Sequence, residues 1–221
     1  MSIIASAKST TKYPPIGEGI HPATCIGIYD IGLQTTKWQG REKVARKIII
    51  TWELHDETVE VDGEEKPRYY SNTYSLSLNE KSSLRKDLET WRGKRFTDSE
   101  LEAFDLYNVL GKPCQIQILH TEKDGRIYAN SESIIAWPKG VPNPGVQGEL
   151  VYFDLNPDNP EDFSCLNMLD TLPEWIQEKV RQSPTYAALE SRYGSGDDFD
   201  ELEAGGGEDM EPQLPWNTRQ E

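Results

Sequence analysis

The chain has 221 residues, 36% of them hydrophobic, with 23 Lys+Arg against 38 Asp+Glu, a formal net charge of -15 and a mean hydropathy of -0.69. Cys25, Cys114 and Cys165 are odd in number and far apart, which excludes a disulfide framework or a clustered zinc site. No stretch approaches the ~20 apolar residues of a membrane-spanning helix, and no apolar signal core opens the chain, so the expected location is the cytoplasm.

Residues 1–19, polar and carrying Pro14-Pro15, read as a flexible arm. His21 to Gln34 reads as a first strand and residues 35–42 as a loop. Lys43 to His55 is the strongest strand signal, with Ile48, Ile50, Trp52 and Leu54 on one face and Lys47, Ile49, Thr51 and Glu53 on the other. An acidic connection turns at Asp62-Gly63 into a third strand, Pro67 to Leu78, on which Tyr69 and Tyr70 must face opposite ways.

The period then changes. Asn79 is positioned to cap a helix whose Leu84, Leu88 and Trp91 share a face and which Gly93 ends; Thr97 or Asp98 opens a second short helix through Leu101 and Phe104. Pro113 to Thr121 and Arg126 to Trp137 read as strands joined by a turn at Lys123-Asp124-Gly125. The order β-β-β-α-β-β over residues 20–137 predicts a mainly β fold, a five-stranded OB-type barrel. Residues 138–193 are expected to form a Pro/Gly-rich connector and C-terminal helices packed on the barrel. Thr171 and Glu174 have capping-box spacing, Leu172, Trp175, Ile176 and Val180 make an apolar stripe, and Ser183-Pro184 starts another helix. Residues 194–221 have the composition of a disordered acidic tail.

Residues 1–140 are almost balanced, with 19 Lys+Arg against 20 Asp+Glu, whereas residues 195–221 carry 1 against 9. A near-neutral domain with a basic face can hold phosphate where an evenly acidic one repels it. Such a face is suggested by Lys37, Trp38, Arg41, Lys43, Arg46 and Lys47 around the first loop and second strand, followed by Arg68, Tyr69, Tyr70 and Tyr74 on the third. Single-strand binding needs cations that track phosphates and flat rings on which bases stack. Lys81, Arg85, Lys86, Arg92, Lys94 and Arg95 alternate with Asp87 and Glu89 and read as an ordinary solvated helix surface. In the tail, acidic runs precede Leu214, Pro215 and Trp216, an apolar tip suited to a partner's pocket. His21, His55 and His120 are far apart and no nucleotide-loop, metalloprotease or serine-nucleophile motif occurs, so no enzyme, cofactor or metal is expected.

Tyr29-Asp30-Ile31-Gly32-Leu33-Gln34, Ile50-Thr51-Trp52-Glu53-Leu54, Lys66-Pro67-Arg68-Tyr69, Gly111-Lys112-Pro113-Cys114 and, most distinctively, Leu172-Pro173-Glu174-Trp175-Ile176-Gln177-Glu178-Lys179 carry a resemblance to phage-encoded single-stranded-DNA-binding proteins over roughly residues 20–185. The resemblance implies an OB-fold that coats exposed single strands in phage replication, recombination or repair, in the cytoplasm of the host cell. Self-association on DNA is expected of such binders; the tail resembles that of bacterial single-strand binders, which implies contacts with replication or recombination proteins, and as a polyanion it is expected to compete with DNA. The rival reading is an acidic β-barrel interaction module that mimics DNA or inhibits a host nucleic-acid enzyme.

Overall fold

A computed structural model describes residues 14–38, 40–61, 63–155 and 164–193. The acidic tail with Leu214, Pro215 and Trp216, and all of the N-terminal arm before Pro14, lie outside the described residues. Six strands form one sheet: β1 (Gly19–Trp38), β2 (Arg41–Val61), β3 (Glu64–Ser75), β4 (Pro113–Lys123), β5 (Arg126–Ala136) and β6 (Val151–Phe153). The neighbour order is β3-β2-β1-β4-β5, all antiparallel, and β6 adds to β1 in parallel. The expectation of five strands closed into a barrel is corrected on both counts. The sixth strand is only three residues long, too short for a periodic signal, and no ladder joins β3 to β5 among the described residues. Two hydrogen bonds cross that opening: Ser131 N donates to the Tyr70 hydroxyl at 2.7 Å and Asn72 Nδ2 to Ser131 Oγ at 3.4 Å.

β1 and β2 run further than their apolar cores suggest. Residues 35–38 and 41–42, expected to loop, pair as Thr35 with Val44, Thr36 with Lys43, Lys37 with Glu42 and Trp38 with Arg41. Threonine, valine and tryptophan favour strands whatever their polarity, and Gly40 at φ 76° permits the tight reversal. Beyond His55, β2 continues through the expected acidic connection to Val61. The turn at Asp124-Gly125 is as expected, with φ of 54° and 71° at its two residues.

The inner face of the sheet holds Ile28, Ile48, Ile50, Trp52, Leu54, Ile116, Ile118 and Ile134. The helix α1 (Ser83–Arg92) closes it with Leu84, Leu88 and Trp91, and Gly93, left-handed at φ 66°, ends that helix as expected. Its N-cap is Ser82, without a side-chain cap, rather than Asn79. Thr97 opens α2 (Asp98–Glu102) with a complete capping box to Glu100.

A second core lies on the outer face. Tyr29, Ile31 and Ile49 meet Phe153, Leu155, Leu169, Leu172, Ile176, Val180 and Leu189, contributed by β6 and the residues just after it, the helices α3 (Ser164–Leu169), α4 (Glu174–Arg181) and α5 (Pro184–Tyr193), and the turn between α3 and α4. The C-terminal helices thus pack on the sheet as expected, but with two corrections. Trp175 is exposed, because Leu172, Ile176 and Val180 alone share the buried stripe. The Thr171 hydroxyl donates to Met168 O at 2.7 Å instead of capping α4. Among the described residues no helix is long and apolar enough to cross a membrane.

The end of the expected N-terminal arm is tied down. Ile16 enters the inner core, His120 Nε2 donates to Ile16 O at 2.7 Å, and His21 Nε2 donates to Gly17 O at 2.9 Å.

Tyr74 is 2% exposed and its hydroxyl donates to Asp87 Oδ2 at 2.8 Å. Burial raises the Asp87 carboxyl above its usual range, while the Tyr74 bond pulls it back. Replacing Tyr74 by Phe removes the donor from a partly solvated carboxylate, so Y74F is expected to lose about 1 kcal/mol. Without the donor, the folded-state pKa of Asp87 rises further above its unfolded value. The loss is therefore largest at neutral pH and shrinks as pH falls and Asp87 is protonated in both states. Urea denaturation of Y74F and the parent at neutral and acidic pH measures both the loss and its sign.

Candidate nucleic-acid interface

Strand alternation sorts the expected site residues. β2 keeps its phase from Arg41 to Leu54, because both register shifts against β1 place the extra residue in β1. Odd-numbered residues of β2 therefore face outward and even-numbered ones inward. Arg41 and Lys43 are exposed on the outer side of the projecting β1–β2 ribbon, and Lys47, half-buried, continues the same row. Across on β3, Ser75 pairs with Lys47, Thr73 with Ile49, Ser71 with Thr51 and Tyr69 with Glu53. The outer row of β3 is thus Tyr69-Ser71-Thr73-Ser75, with Tyr69 50% exposed. Helices α3 to α5 cover β1 and the middle of β2 but leave this row open.

The result is one strip, with three cations at the ribbon end, a ladder of hydroxyls and a tyrosine at the far end; Arg41, Lys43, Thr73 and Tyr69 are exposed, and Lys47, Ser71 and Ser75 are half-buried. Thr51 Oγ1 and Ser71 Oγ are 2.8 Å apart and tie its middle together. Trp38 takes its place in β1 opposite Arg41. Its side chain lies outside what is described. Lys37 is exposed but turned to the other side of the ribbon, 2.9 Å from Glu42.

Four further expected contacts are not in the strip. Arg46 has the inward phase and forms an ion pair with Asp30, with a further bond to Leu155 O at 3.0 Å and Asp154 at 3.6 Å. It borders a bowl of about 280 Å³ that also holds Asp105, Phe104 and Tyr152. There the Tyr152 hydroxyl is pushed up to about 12 by burial and then by Asp105, Asp154 and Asp30. Phosphate is repelled from such a field. Arg68, with a side chain 15% exposed, donates to Pro14 O, Pro15 O and Glu57 and anchors the N-terminal segment. Tyr70 faces inward against Trp52, with ring centroids 6.2 Å apart. Tyr74 belongs to the core. Of the two neighbouring tyrosines, Tyr69 is therefore the one available to stack.

Sequence reading passed over the residues that hold the strip in shape. Glu53 is 0% exposed and accepts from Gln147 N at 2.9 Å and Gly148 N at 2.8 Å. A buried carboxylate is tolerable only when hydrogen bonds replace its water. Here those bonds pin the connector against β2, directly under Tyr69. Thr24 Oγ1 donates to Gly145 O at 2.9 Å and so takes its other bond from His55 Nε2, at 2.8 Å. At the ribbon base, Gln34 Nε2 donates to Lys179 O at 3.0 Å and Leu33 N to Thr185 Oγ1 at 2.9 Å. The one available signal was the odd-row pattern Tyr-Ser-Thr-Ser on β3, which pairs with the polar phase of β2.

Among the described residues no group of three or more His, Cys, Asp or Glu is arranged to hold a metal ion. Neither the family models nor the curated proteins contain a match to the chain.

Removing the Glu53 carboxylate leaves the Gln147 and Gly148 amides unpaired over a new cavity. E53A is expected to lose about 2–4 kcal/mol and E53Q, which keeps one acceptor, less. Denaturation should order the three proteins in that way, and hydrogen exchange should show the amides of residues 146–151 deprotected first.

Proposed function

We propose that the protein binds single-stranded DNA, without strong sequence preference, along the outer face of β2 and β3. The observation that carries this reading is the strip itself. Arg41, Lys43 and Lys47 share one face with Tyr69 and three hydroxyls, on the part of the sheet left clear by the C-terminal helices. The scaffold is then read as an OB-type barrel left partly open between β3 and β5. Support comes from the strand order and from the Tyr70–Ser131 and Asn72–Ser131 bonds across the opening. Strands 2 and 3 with the first loop are where such folds take oligonucleotides.

Binding is passive. The three cations neutralise successive phosphates, Ser71, Thr73 and Ser75 offer hydroxyls to the backbone, and Tyr69 gives one base a stacking surface. None of these groups reads a base edge, so sequence preference is weak. The biological setting, following the family resemblance, is the coating of exposed strands in phage replication, recombination or repair. The acidic tail then contacts partner proteins or competes for the same cations.

Fluorescence anisotropy with oligo-dT tests the reading. Affinity should fall with salt with a slope of about -0.7 per phosphate contacted, hence about -2 for three cations, and K43A should lessen that slope. Y69A should lose about 1–3 kcal/mol of binding, the worth of one stacked base, whereas Y70F should bind as the parent does. Salt-independent binding, or equal effects of Y69A and Y70F, would exclude the strip.

Residues 195–221 carry eight net negative charges. Their deletion should tighten oligo-dT binding at low salt and have little effect at high salt, where the competition is screened. Unchanged or weaker binding at low salt argues against competition by the tail.

A further inference from the structure

Charge on β2 is segregated by end. Residues 41–47 carry Arg41, Lys43, Arg46 and Lys47 against Glu42 alone, whereas residues 56–61 carry Asp56, Glu57 and Glu60 and no cation. β3 returns beside the acidic end with Glu64 and Glu65. In the ladder, Glu60 lies directly opposite Glu65. Like charges facing each other across a ladder are destabilising unless a cation sits between them. The other carboxylates here have partners: Asp56 with His21, Glu57 with Arg68 and Glu64 with Lys66. Glu60 and Glu65 are exposed and have no ion pair among the described residues.

The opposite end mirrors this. Arg41 and Lys43 stand two residues apart on one face of a two-stranded ribbon, with no ion pair among the described residues. Glu42 is on the other face, held by Lys37. Seventeen residue steps of β2 run from Lys43 to Glu60, a contour of at most about 55 Å at 3.3 Å per residue, and the strand is irregular between Glu53 and Thr58. The two clusters lie at opposite ends of β2.

We infer that, without DNA, copies of this chain associate head to tail, the Arg41/Lys43 face of one copy neutralising the Glu60–Glu65 pair of the next. The contact is heterologous, so it continues from copy to copy rather than closing a dimer. Only the next step rests on the DNA-binding reading: phosphates want the same two cations, so DNA dissolves the association.

Sedimentation velocity of the full chain at low salt tests the inference. The wild type should sediment faster as concentration rises and return to monomer at high salt. E60K/E65K should stay monomeric throughout while binding oligo-dT no more weakly than wild type. R41E/K43E should also be monomeric alone, and an equimolar mixture of the two variants should associate, since each then offers what the other lacks. Association in that mixture also establishes that both variants are folded. A wild type without concentration dependence overturns the inference. So does association that survives in E60K/E65K but vanishes on deleting residues 195–221, which would assign the contact to the tail. Adding oligo-dT to the wild type should release monomers. If association is lost in E60K/E65K yet oligo-dT has no effect, the head-to-tail contact stands and the DNA-binding reading fails.

Discussion

The β1–β2 pair is apolar on both faces, and the rest of the molecule follows from that. Ile48, Ile50, Trp52 and Leu54 look into the inner core, while Ile49, Tyr29 and Ile31 look outward. A sheet so patterned cannot leave either side to water. α1 closes the inner side, and the chain must come back to cover the outer one, which is the task of β6 and the three C-terminal helices. Two bulges in β1, at Ile26 and at Ile31-Gly32, let that strand serve both cores. The second is seated on Thr185 and Ser183 at the start of α5, where Gly32, at φ 69°, leaves no room for a side chain.

This cover decides what surface is left for a ligand. It ends at β2, so β3 and the β1–β2 ribbon keep their outer row open. The carboxylate of Glu53 marks the boundary, with the connector amides on one side and Tyr69 on the other. The inward charges are consumed in holding the fold: Arg46 by Asp30, Arg68 by Glu57 and the proline carbonyls, Arg92 by Glu100 and over the rings of Phe96 and Phe104. A cation so engaged is a poor ligand for phosphate, because binding would require breaking a bond that is already desolvated. Among the described residues Arg41, Lys43 and Lys47, on the outward row, form no ion pair.

Much of the architecture could be read from pattern because it obeys single periods. Leu84, Leu88 and Trp91 fix α1, Asp124-Gly125 fixes the β4–β5 turn, and the alternation of β2 fixes which of its residues share a face. Polar strand was harder to read: Thr35 to Trp38 has no apolar run and Glu57 to Val61 only Val59 and Val61 among polar residues, yet pairing with a neighbour holds both extended. β6 gave no signal because three residues carry no period. The candidate site was legible as a region but not residue by residue. Alternation demands that Tyr69 and Tyr70 part company, but only the ladder with β2 says that Tyr69 is the outer one. Alternation puts Arg46 in the phase of Ile48 and Arg41 in the other, but no local pattern shows the partner that holds Arg46: Asp30, sixteen residues before it in sequence and brought beside it by the bulge in β1.

The net charge of -15 does not argue against a cationic strip, because distance and salt separate the two. At physiological ionic strength charges further apart than about 8 Å are largely screened from one another at a surface. Arg41, Lys43 and Lys47 lie within one short stretch at the start of β2, whereas Glu60 is near its other end, with Glu65 opposite it on β3. A phosphate approaching the ribbon feels its local field rather than the sum over the molecule. At low salt the screening length grows and the two ends of β2, and any acidic segment free to reach the ribbon, begin to act on it together. If the strip binds phosphate as proposed, ionic strength sets more than affinity: it decides whether the three cations meet phosphate alone or are shared between phosphate and the chain's own carboxylates.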